Sequence, residues 1–286
     1  MATLKTTKTA LAEKLGISRS TLYYRPKKPV SDEEAKRKII AVMAEHPAYG
    51  TRRIAWALGV NRKHAKRLMQ KYGLKPRIRR EFRPVKSDDL GRPETRVVNV
   101  LKTLCPLRAG VVWAGDFTYF WFVDRFWYLA TVIDVHTREI VGWHIANHHT
   151  ASLIMEAFND AVQRTNDAPA YFHSDQGSEY VSEAYETLLR SCGTIPSQST
   201  KASPWQNGFQ ESFYSNFKLE LGKLTQFNHI GGLIEAIHRQ IHYYNCERIH
   251  SVLRMPPTTF RKHCEEQRTT VPFHSILQNA LLGKSV

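Results

Sequence analysis

Three consecutive stretches rich in β-branched and aromatic residues constrain the fold of this chain more than any other feature. They span Val111–Phe122, Phe126–Val135 and Glu139–Ala146, with only three residues between one stretch and the next. Such short gaps predict two consecutive hairpins and therefore three antiparallel strands. Two further apolar strands are predicted at Ala170–His173 and Thr194–Ser197, each next to a segment of helical periodicity. The sequence therefore predicts an α/β domain built on a mixed five-stranded sheet.

Basic residues concentrate in the first third of the chain. The 286 residues have a net charge of +15; residues 1–100 contain 25 Lys and Arg against 9 Asp and Glu, whereas residues 101–286 contain 16 against 17. This segregation favours a polyanion-binding region in front of a near-neutral domain, and a solubilising basic face is the alternative. The sequence has no apolar run long enough for a membrane helix, no signal-peptide pattern and only four scattered cysteines, which together predict a cytoplasmic protein.

Two helix-turn-helix patterns lie in this basic region. The first places short helices on either side of Gly16, with Ser18 as the expected cap of the second helix. In the second pattern, Thr51 is expected to cap one helix and Asn61 the next, with Gly73 as the C-terminal stop. Tandem patterns of this kind inside a strongly basic segment favour DNA binding.

The helix after Asn61 has the pattern of a recognition helix. Apolar residues at i, i+3, i+4 and i+7, from Ala65 to Tyr72, predict a buried face that leaves the basic residues pointing outward. A major groove accepts such a helix, and a charged surface helix in an ordinary bundle is the alternative. The expected DNA contacts on this helix are Arg62, Lys63, Lys66 and Arg67.

Three acidic residues are candidates for catalysis. Asp116 lies inside an apolar run, Asp175 follows an apolar strand, and Glu211 lies on a long helix. The buried face of that helix is expected to comprise Phe213, Phe217 and Leu221. Three carboxylates on separate elements can converge on two divalent ions, and oxygen ligands favour Mg²⁺ or Mn²⁺. A strand-edge acid, a turn acid and a surface helix acid are the alternative that spacing alone leaves open.

Motifs around these acids resemble the DDE catalytic core of retroviral-integrase-like transposases. The similarity is greatest to the second-frame transposase protein of insertion sequence family three. The core motifs are Trp113–Tyr119, Tyr128–Asp134, Arg138–Trp143, His173–Tyr180 and Asn207–Phe213. The 35 residues between Asp175 and Glu211 match the interval of that family, and Lys218 falls where the family carries a basic residue. Outside the core, the segments that resemble the family are His46–Ile54 and Tyr244–His250.

The resemblance implies an RNase H-like core with a mixed five-stranded sheet and helices, preceded by an all-α helix-turn-helix DNA-binding region. It implies a transposase that cleaves DNA at the ends of its element and joins a freed 3′ hydroxyl to target DNA. The residues that the resemblance makes catalytic and ligands of two Mg²⁺ ions, which Mn²⁺ can replace, are Asp116, Asp175 and Glu211. Further expected DNA contacts are Asn207, Lys218 and Arg248.

Several alternatives stay open for the neighbours of these acids. Asn207 can cap the helix of Glu211 instead of contacting DNA, and Lys218 can pair with Glu211 instead of a phosphate. His173, beside Asp175, is expected to form structural hydrogen bonds. For the whole chain, the alternative functions are an RNase H-like nuclease that only hydrolyses and a helix-turn-helix regulator with an inactive core.

The same resemblance sets the expected partners and domains. The partners are DNA (the terminal repeats and the target duplex), further copies of the chain on DNA, and an upstream-frame protein, separate or fused. No membrane is expected, and the bacterial protein would be associated with the nucleoid when it is bound to DNA. The expected domains are a first helix-turn-helix-like segment at 1–28, a second helix-turn-helix domain at 29–80, a basic linker at 81–108, the catalytic core at 109–225 and a helical extension and tail at 226–286.

Overall fold

The computed structural model describes residues 7–23, 28–77, 97, 99, 101, 108–175, 177–199 and 208–270. The chain divides into two compact units, Met1–Pro76 and Arg77–Val286. The five segments predicted from the sequence are a finer division, and their boundaries stay predictions. Within the described residues, no helix combines the length and the apolarity that crossing a membrane requires.

Within its described residues, the first unit is all helical, as predicted. Its helices are α1 (Lys8–Lys14), α2 (Arg19–Tyr23), α3 (Lys28–Glu45), α4 (Thr51–Ala57) and α5 (Arg62–Lys71). Tight turns connect α1 to α2 and α4 to α5, so both helix-turn-helix patterns are formed.

The helix caps of this unit follow the sequence with one exception. Ser18 Oγ accepts a hydrogen bond from Thr21 N at 3.3 Å, and Asn61 Oδ1 accepts one from Lys63 N at 2.8 Å, as predicted. The prediction that Thr51 caps α4 was wrong by one residue. Gly50 has the extended backbone of the cap position, and Thr51 is already helical. Helix α4 therefore begins without a side-chain cap.

The second unit contains the predicted five-stranded mixed sheet. Its strands are β1 (Val112–Phe122), β2 (Arg125–Asp134), β3 (Ile140–Ala146), β4 (Tyr171–Ser174) and β5 (Ile195–Gln198). The spatial order is β3-β2-β1-β4-β5. The first three strands form two antiparallel hairpins, whereas β4 runs parallel to both β1 and β5.

Helices cover both faces of this sheet. They are α6 (Ala151–Thr165), α7 (Glu183–Ser191), α8 (Gly208–Leu221), α9 (Ile230–Cys246) and α10 (Pro257–Thr270), with short 3₁₀ helices at Ser178–Val181 and Leu224–Gln226. Alternation along β1 divides the core, because successive side chains of a strand point to opposite faces. Ala114 packs in one cluster with α8 and α9, and Trp113 packs in the other with α6 and α7.

One glycine allows helix α6 to lie directly on the sheet. A Cβ atom at Gly142 in β3 would lie 2.4 Å from the Ala157 carbonyl oxygen and 2.5 Å from Ala161 N. Any side chain at this position would push α6 away from the strand. The helix backbone can approach this closely only because the residue is glycine.

Candidate active site

The register of two parallel strands brings Asp116 and Asp175 together. Ala114 of β1 pairs with His173 of β4, and each aspartate lies two residues further along its strand direction. Asp116 lies within β1 and Asp175 directly follows the end of β4, and both side chains are half-buried. Two like charges on adjacent strands repel each other unless a cation or a proton compensates for them.

The charges of both aspartates act on the buried hydroxyl of Tyr180. Its hydroxyl oxygen lies 3.5 Å from the Cβ position of Gly115, next to Asp116 in the chain. Burial raises the pKa of Tyr180 well above its ordinary value, and the charges of Asp116 and then Asp175 raise it further. Among the described residues this buried hydroxyl has no hydrogen-bond partner. The negative charges of Asp116 and Asp175 therefore lie near the neutral, buried hydroxyl of Tyr180.

A fourth acid, Glu179, lies beside Asp175. A Cβ at Gly177 would lie 2.9 Å from Glu179 Oε2 and 3.1 Å from Asp175 Oδ1, so both carboxylates border the same point. Asp175 Oδ1 accepts a hydrogen bond from Gly177 N at 2.9 Å, and Glu179 Oε1 lies 2.9 Å from His149 Nδ1. The sequence alone does not identify Glu179 as a site residue. Only the backbone turn at Gly177 brings its carboxylate next to that of Asp175.

Glu211 lies in the first turn of α8, with an exposed side chain. The predicted buried face of this helix is confirmed, since Phe213, Phe217 and Leu221 are all buried. The Tyr214 hydroxyl donates a hydrogen bond to the Asp116 carbonyl oxygen at 2.7 Å, which links α8 to the strand of the first aspartate. Residues 200–207 lie outside the described residues, and Asn207 with its two predicted roles is among them.

The donor set suits a hard divalent cation. Carboxylate oxygens are the ligands that Mg²⁺ prefers, and the charge of Asp116 acts on the buried rings of both Tyr180 and Tyr214, raising their pKa values. A bound cation would neutralise this charge. In the described part of the chain, no three His, Cys, Asp or Glu side chains lie close enough together to hold a metal ion. The addition of Glu211 to the two aspartates therefore remains a prediction.

Lys218 lies two turns after Glu211, against the outer part of β1. Its Nζ donates a hydrogen bond to the Tyr119 carbonyl oxygen at 3.0 Å and lies 5.3 Å from the centre of the Tyr119 ring. The contact of Lys218 with a DNA phosphate stays a prediction.

Arg248, one of the predicted DNA contacts, forms a buried ion pair within the protein. Its side chain is only 2% exposed, and its Nε donates a hydrogen bond to Glu220 Oε1 at 2.7 Å. Gln240 Nε2 donates to the other oxygen of Glu220 at 3.0 Å. This ion pair joins α8 to the segment after α9 and buries the guanidinium, which disfavours a phosphate contact. The contact of Arg248 with DNA stays a prediction.

The predicted basic face of α5 is only partly available to DNA. Arg62, Lys63, Lys66 and Arg67 are all exposed, but Arg67 also donates two hydrogen bonds to the buried carboxylate of Asp32 in α3. Together with a hydrogen bond from Lys71, the guanidinium holds the pKa of Asp32 well below its usual range. Arg67 thus ties α5 to α3, and its contact with DNA stays a prediction.

His173 is the structural hydrogen-bonder that the sequence predicts. It is fully buried in β4, and its Nδ1 lies 2.9 Å from Ser197 Oγ. Burial lowers the pKa of His173 to about 4.

This burial predicts a pH-dependent stability. Below about pH 6.5, His173 binds a proton in the unfolded chain but stays neutral in the folded protein. The free energy of unfolding is therefore highest above pH 6.5 and declines as the pH falls toward 4. We expect this residue to lower the free energy of unfolding by about 2 kcal/mol between pH 7 and pH 5. Urea unfolding of wild type and His173→Gln at both pH values measures it, because glutamine does not titrate. An equal decline in the two proteins would contradict the assignment.

Fold and site together define an integrase-type catalytic core of RNase H-like fold. Residues 106–204 and 193–257 both match integrase core domain families, and residues 1–28 match the bacterial regulatory protein, Fis family, a helix-turn-helix. The fold is shared with a chain of the simian T-cell lymphotropic virus intasome, with a TM-score of 0.51 and 14% identity over 78% of this chain and 74% of that one.

Sequence relatives define the family more narrowly. The transposase for insertion sequence element IS904 of Lactococcus lactis is 34% identical over 255 residues, which cover 85% of this chain and 99% of the relative. Transposase InsF for insertion sequence IS3A of Escherichia coli is 30% identical over 154 residues, 53% of each chain. The chain belongs to the insertion-sequence transposases that carry an integrase core domain.

Proposed function

We propose that this transposase cleaves and joins DNA at the ends of its element through Asp116, Asp175 and Glu211. The observation that carries the proposal is the equivalent position of the two aspartates on adjacent parallel strands, with the helix of Glu211 hydrogen-bonded to the backbone of Asp116. The three carboxylates would hold two Mg²⁺ ions, or Mn²⁺ in their place. When bound, such ions supply Lewis-acid stabilisation of the charge that develops on the phosphodiester.

The protein itself contributes position and charge. In this scheme water attacks first and a DNA 3′ hydroxyl attacks second, so the reaction needs no Ser or Tyr nucleophile from the chain. Each step forms one phosphorus–oxygen bond and breaks another: the 3′ hydroxyl of the element leaves in the first step, and a 3′ hydroxyl of the target strand leaves in the second. The rings of Tyr180 and Tyr214, on which the charge of Asp116 acts, are both buried.

One assay separates this function from its alternatives. Duplexes that end in the 3′ hydroxyl of the element, read from the terminal inverted repeats beside the gene, are incubated with target DNA and Mg²⁺. Joined products support a transposase. Cleavage without joining would identify a nuclease that only hydrolyses, and binding without either reaction would identify a regulator with an inactive core.

We also propose that several copies of the chain act together in the cytoplasm on bacterial DNA, with or without an upstream-frame protein. An element has two ends, and each end needs an active site. Light scattering of the protein with and without end duplexes measures the number of copies.

The exposed face of α5 is expected to dominate phosphate binding. Arg62→Ala combined with Lys66→Ala should weaken duplex binding and flatten the plot of log affinity against log salt by about 2, since each lost phosphate contact changes the slope by about 0.9. A matched control removes one Arg and one Lys from α3, as Arg37→Ala with Lys38→Ala, both exposed. Salt titrations compare the pairs, and an equal flattening by the control pair would contradict a recognition role for α5.

Lys218 is expected to bind a substrate phosphate. Lys218→Ala should slow joining by about 10- to 100-fold, because a hydrogen bond to a charged group contributes roughly 1.5–3 kcal/mol. Lys218→Arg should retain most of the rate, and Lys223→Ala, an exposed lysine just after α8, serves as the control. Joining kinetics at saturating Mg²⁺ measure the effect. If the alanine variant joins DNA as fast as wild type, Lys218 is not a phosphate contact.

A further inference from the structure

A buried polar cluster of Thr131, Gln210 and Tyr214 lies between α8 and the central hairpin. Gln210 is 0% exposed, Thr131 1% and Tyr214 7%, and the surrounding core is apolar. Burying an amide and two hydroxyls is unfavourable unless they are hydrogen-bonded. Each of them is hydrogen-bonded, and two of the bonds reach the backbone of β1, the strand that carries Asp116.

The cluster joins the helix of Glu211 to the backbone beside Asp116. Gln210 Nε2 donates hydrogen bonds to the Ala114 carbonyl oxygen at 2.7 Å and the Thr131 carbonyl oxygen at 3.2 Å. Gln210 Oε1 accepts one from Thr131 Oγ1 at 3.1 Å. The Tyr214 hydroxyl donates to the carbonyl oxygen of Asp116 itself at 2.7 Å and lies 2.8 Å from Thr131 Oγ1.

The three residues of the cluster lie next to two candidate metal ligands, Glu211 on α8 and Asp116 on β1. Gln210 immediately precedes Glu211, and Tyr214 follows it by three residues, so the two side chains hold the helix turn that carries Glu211. On the sheet, Thr131 is the direct cross-strand partner of Asp116. The cluster therefore fixes the same two backbone segments from which the two carboxylates project.

The hydrogen bonds of this cluster fix the position of α8 on the sheet more precisely than apolar packing can. The buried phenylalanines of α8 stabilise its contact with the sheet, but the hydrophobic effect is non-directional and tolerates a small rotation or slide of the helix. Hydrogen bonds weaken steeply with distance and angle, so a shift of one ångström would break several of them. Burial, and then the charge of Asp116, raise the pKa of Tyr214 well above its ordinary value, which keeps its hydroxyl protonated as a donor.

We propose that Gln210, Tyr214 and Thr131 are positioning residues that set the place of Glu211 relative to Asp116 and so tune the affinity of the site for Mg²⁺. The inference rests on the proposed function. It concerns residues that would touch neither metal nor DNA. Residues that orient ligands typically change metal affinity or activity by about 10- to 100-fold when they are replaced.

The test uses the full chain with Tyr214→Phe, which removes one oxygen atom, and Gln210→Met, which keeps the length of the side chain. The control is Thr194→Val, which removes a buried hydrogen bond to the Pro169 carbonyl oxygen (2.8 Å) before β4, away from α8. Two quantities are measured: the Mg²⁺ affinity without DNA, by calorimetry, and the Mg²⁺ midpoint of strand joining. Thermal unfolding identifies any variant that is not folded.

We expect both cluster variants to weaken Mg²⁺ binding and to raise the joining midpoint by at least about 10-fold, while Thr194→Val keeps both values. Thr131→Ser, which retains the hydroxyl, should behave like wild type. Folded cluster variants with wild-type Mg²⁺ affinity and midpoint would overturn the positioning role. Glu211→Gln distinguishes this failure from that of the proposed function: if it joins DNA normally, the assignment of Glu211 itself is lost.

Discussion

Replacement of Asp116, Asp175 or Glu211 by the corresponding amide is expected to abolish strand cleavage and joining while the protein stays folded. The amide keeps the size of the side chain but removes the negative charge that would hold a divalent ion. Since a catalytic metal stabilises the transition state by several kcal/mol, and about 1.4 kcal/mol is a factor of ten, we expect each variant to lose at least about 100-fold in rate.

The matched control for these variants is Asp124→Asn. It makes the same chemical change on an exposed residue in the turn between β1 and β2, and it should react like wild type. Gel assays with labelled end duplexes and Mg²⁺ measure the rates, and circular dichroism checks the fold. Any amide variant that joins DNA at the wild-type rate removes its residue from the proposed triad.

Replacement of Arg248 by methionine is expected to destabilise the protein by about 3–5 kcal/mol. The change leaves Glu220, whose side chain is only 6% exposed, as a buried charge without its cation. Urea unfolding measures the loss. The control is Arg239→Met, which breaks an exposed pair with Glu235 on α9 and should change stability by about 0.5 kcal/mol at most.

A double variant tests the cause of this loss. Arg248→Met combined with Glu220→Leu removes both charges and should recover most of the stability, because apolar residues of similar volume can replace a buried pair. Any folded Arg248→Met protein should bind DNA with the wild-type salt dependence. A flatter salt dependence without a loss of stability would restore Arg248 as a phosphate contact.

The secondary structure was predictable because its signals are local. The three-residue gaps of the sheet region led to two hairpins, and Asn61 caps α5 through a bond to a residue only two positions away. The misplaced cap at Thr51 shows the limit of such signals. A threonine at the first helical position and one at the cap position look alike in the sequence, and only the backbone angles of Gly50 separate them.

The candidate site residues were predictable to different degrees. Asp116, Asp175 and Glu211 could be selected because motifs carry them, although their spacing alone left ordinary acids as an alternative. The environment of a basic residue could not be read in the same way. Arginine is a residue type that commonly contacts phosphate, so Arg67 and Arg248 look like DNA contacts in the sequence. Their carboxylate partners are distant in the chain: Asp32 lies 35 residues from Arg67, and Glu220 lies 28 residues from Arg248.

The sequence by itself determined which segments become strands and helices, which faces are apolar and where basic charge collects, because periodicity and capping act between near neighbours. Only the tertiary structure decided which polar groups meet. The register of Ala114 with His173 aligns the two aspartates, and the bond from Gln210 to Ala114 spans 96 positions. Such contacts depend on how distant elements pack, and burial then determines whether a charge faces solvent, as in Lys66, or an internal partner, as in Arg248.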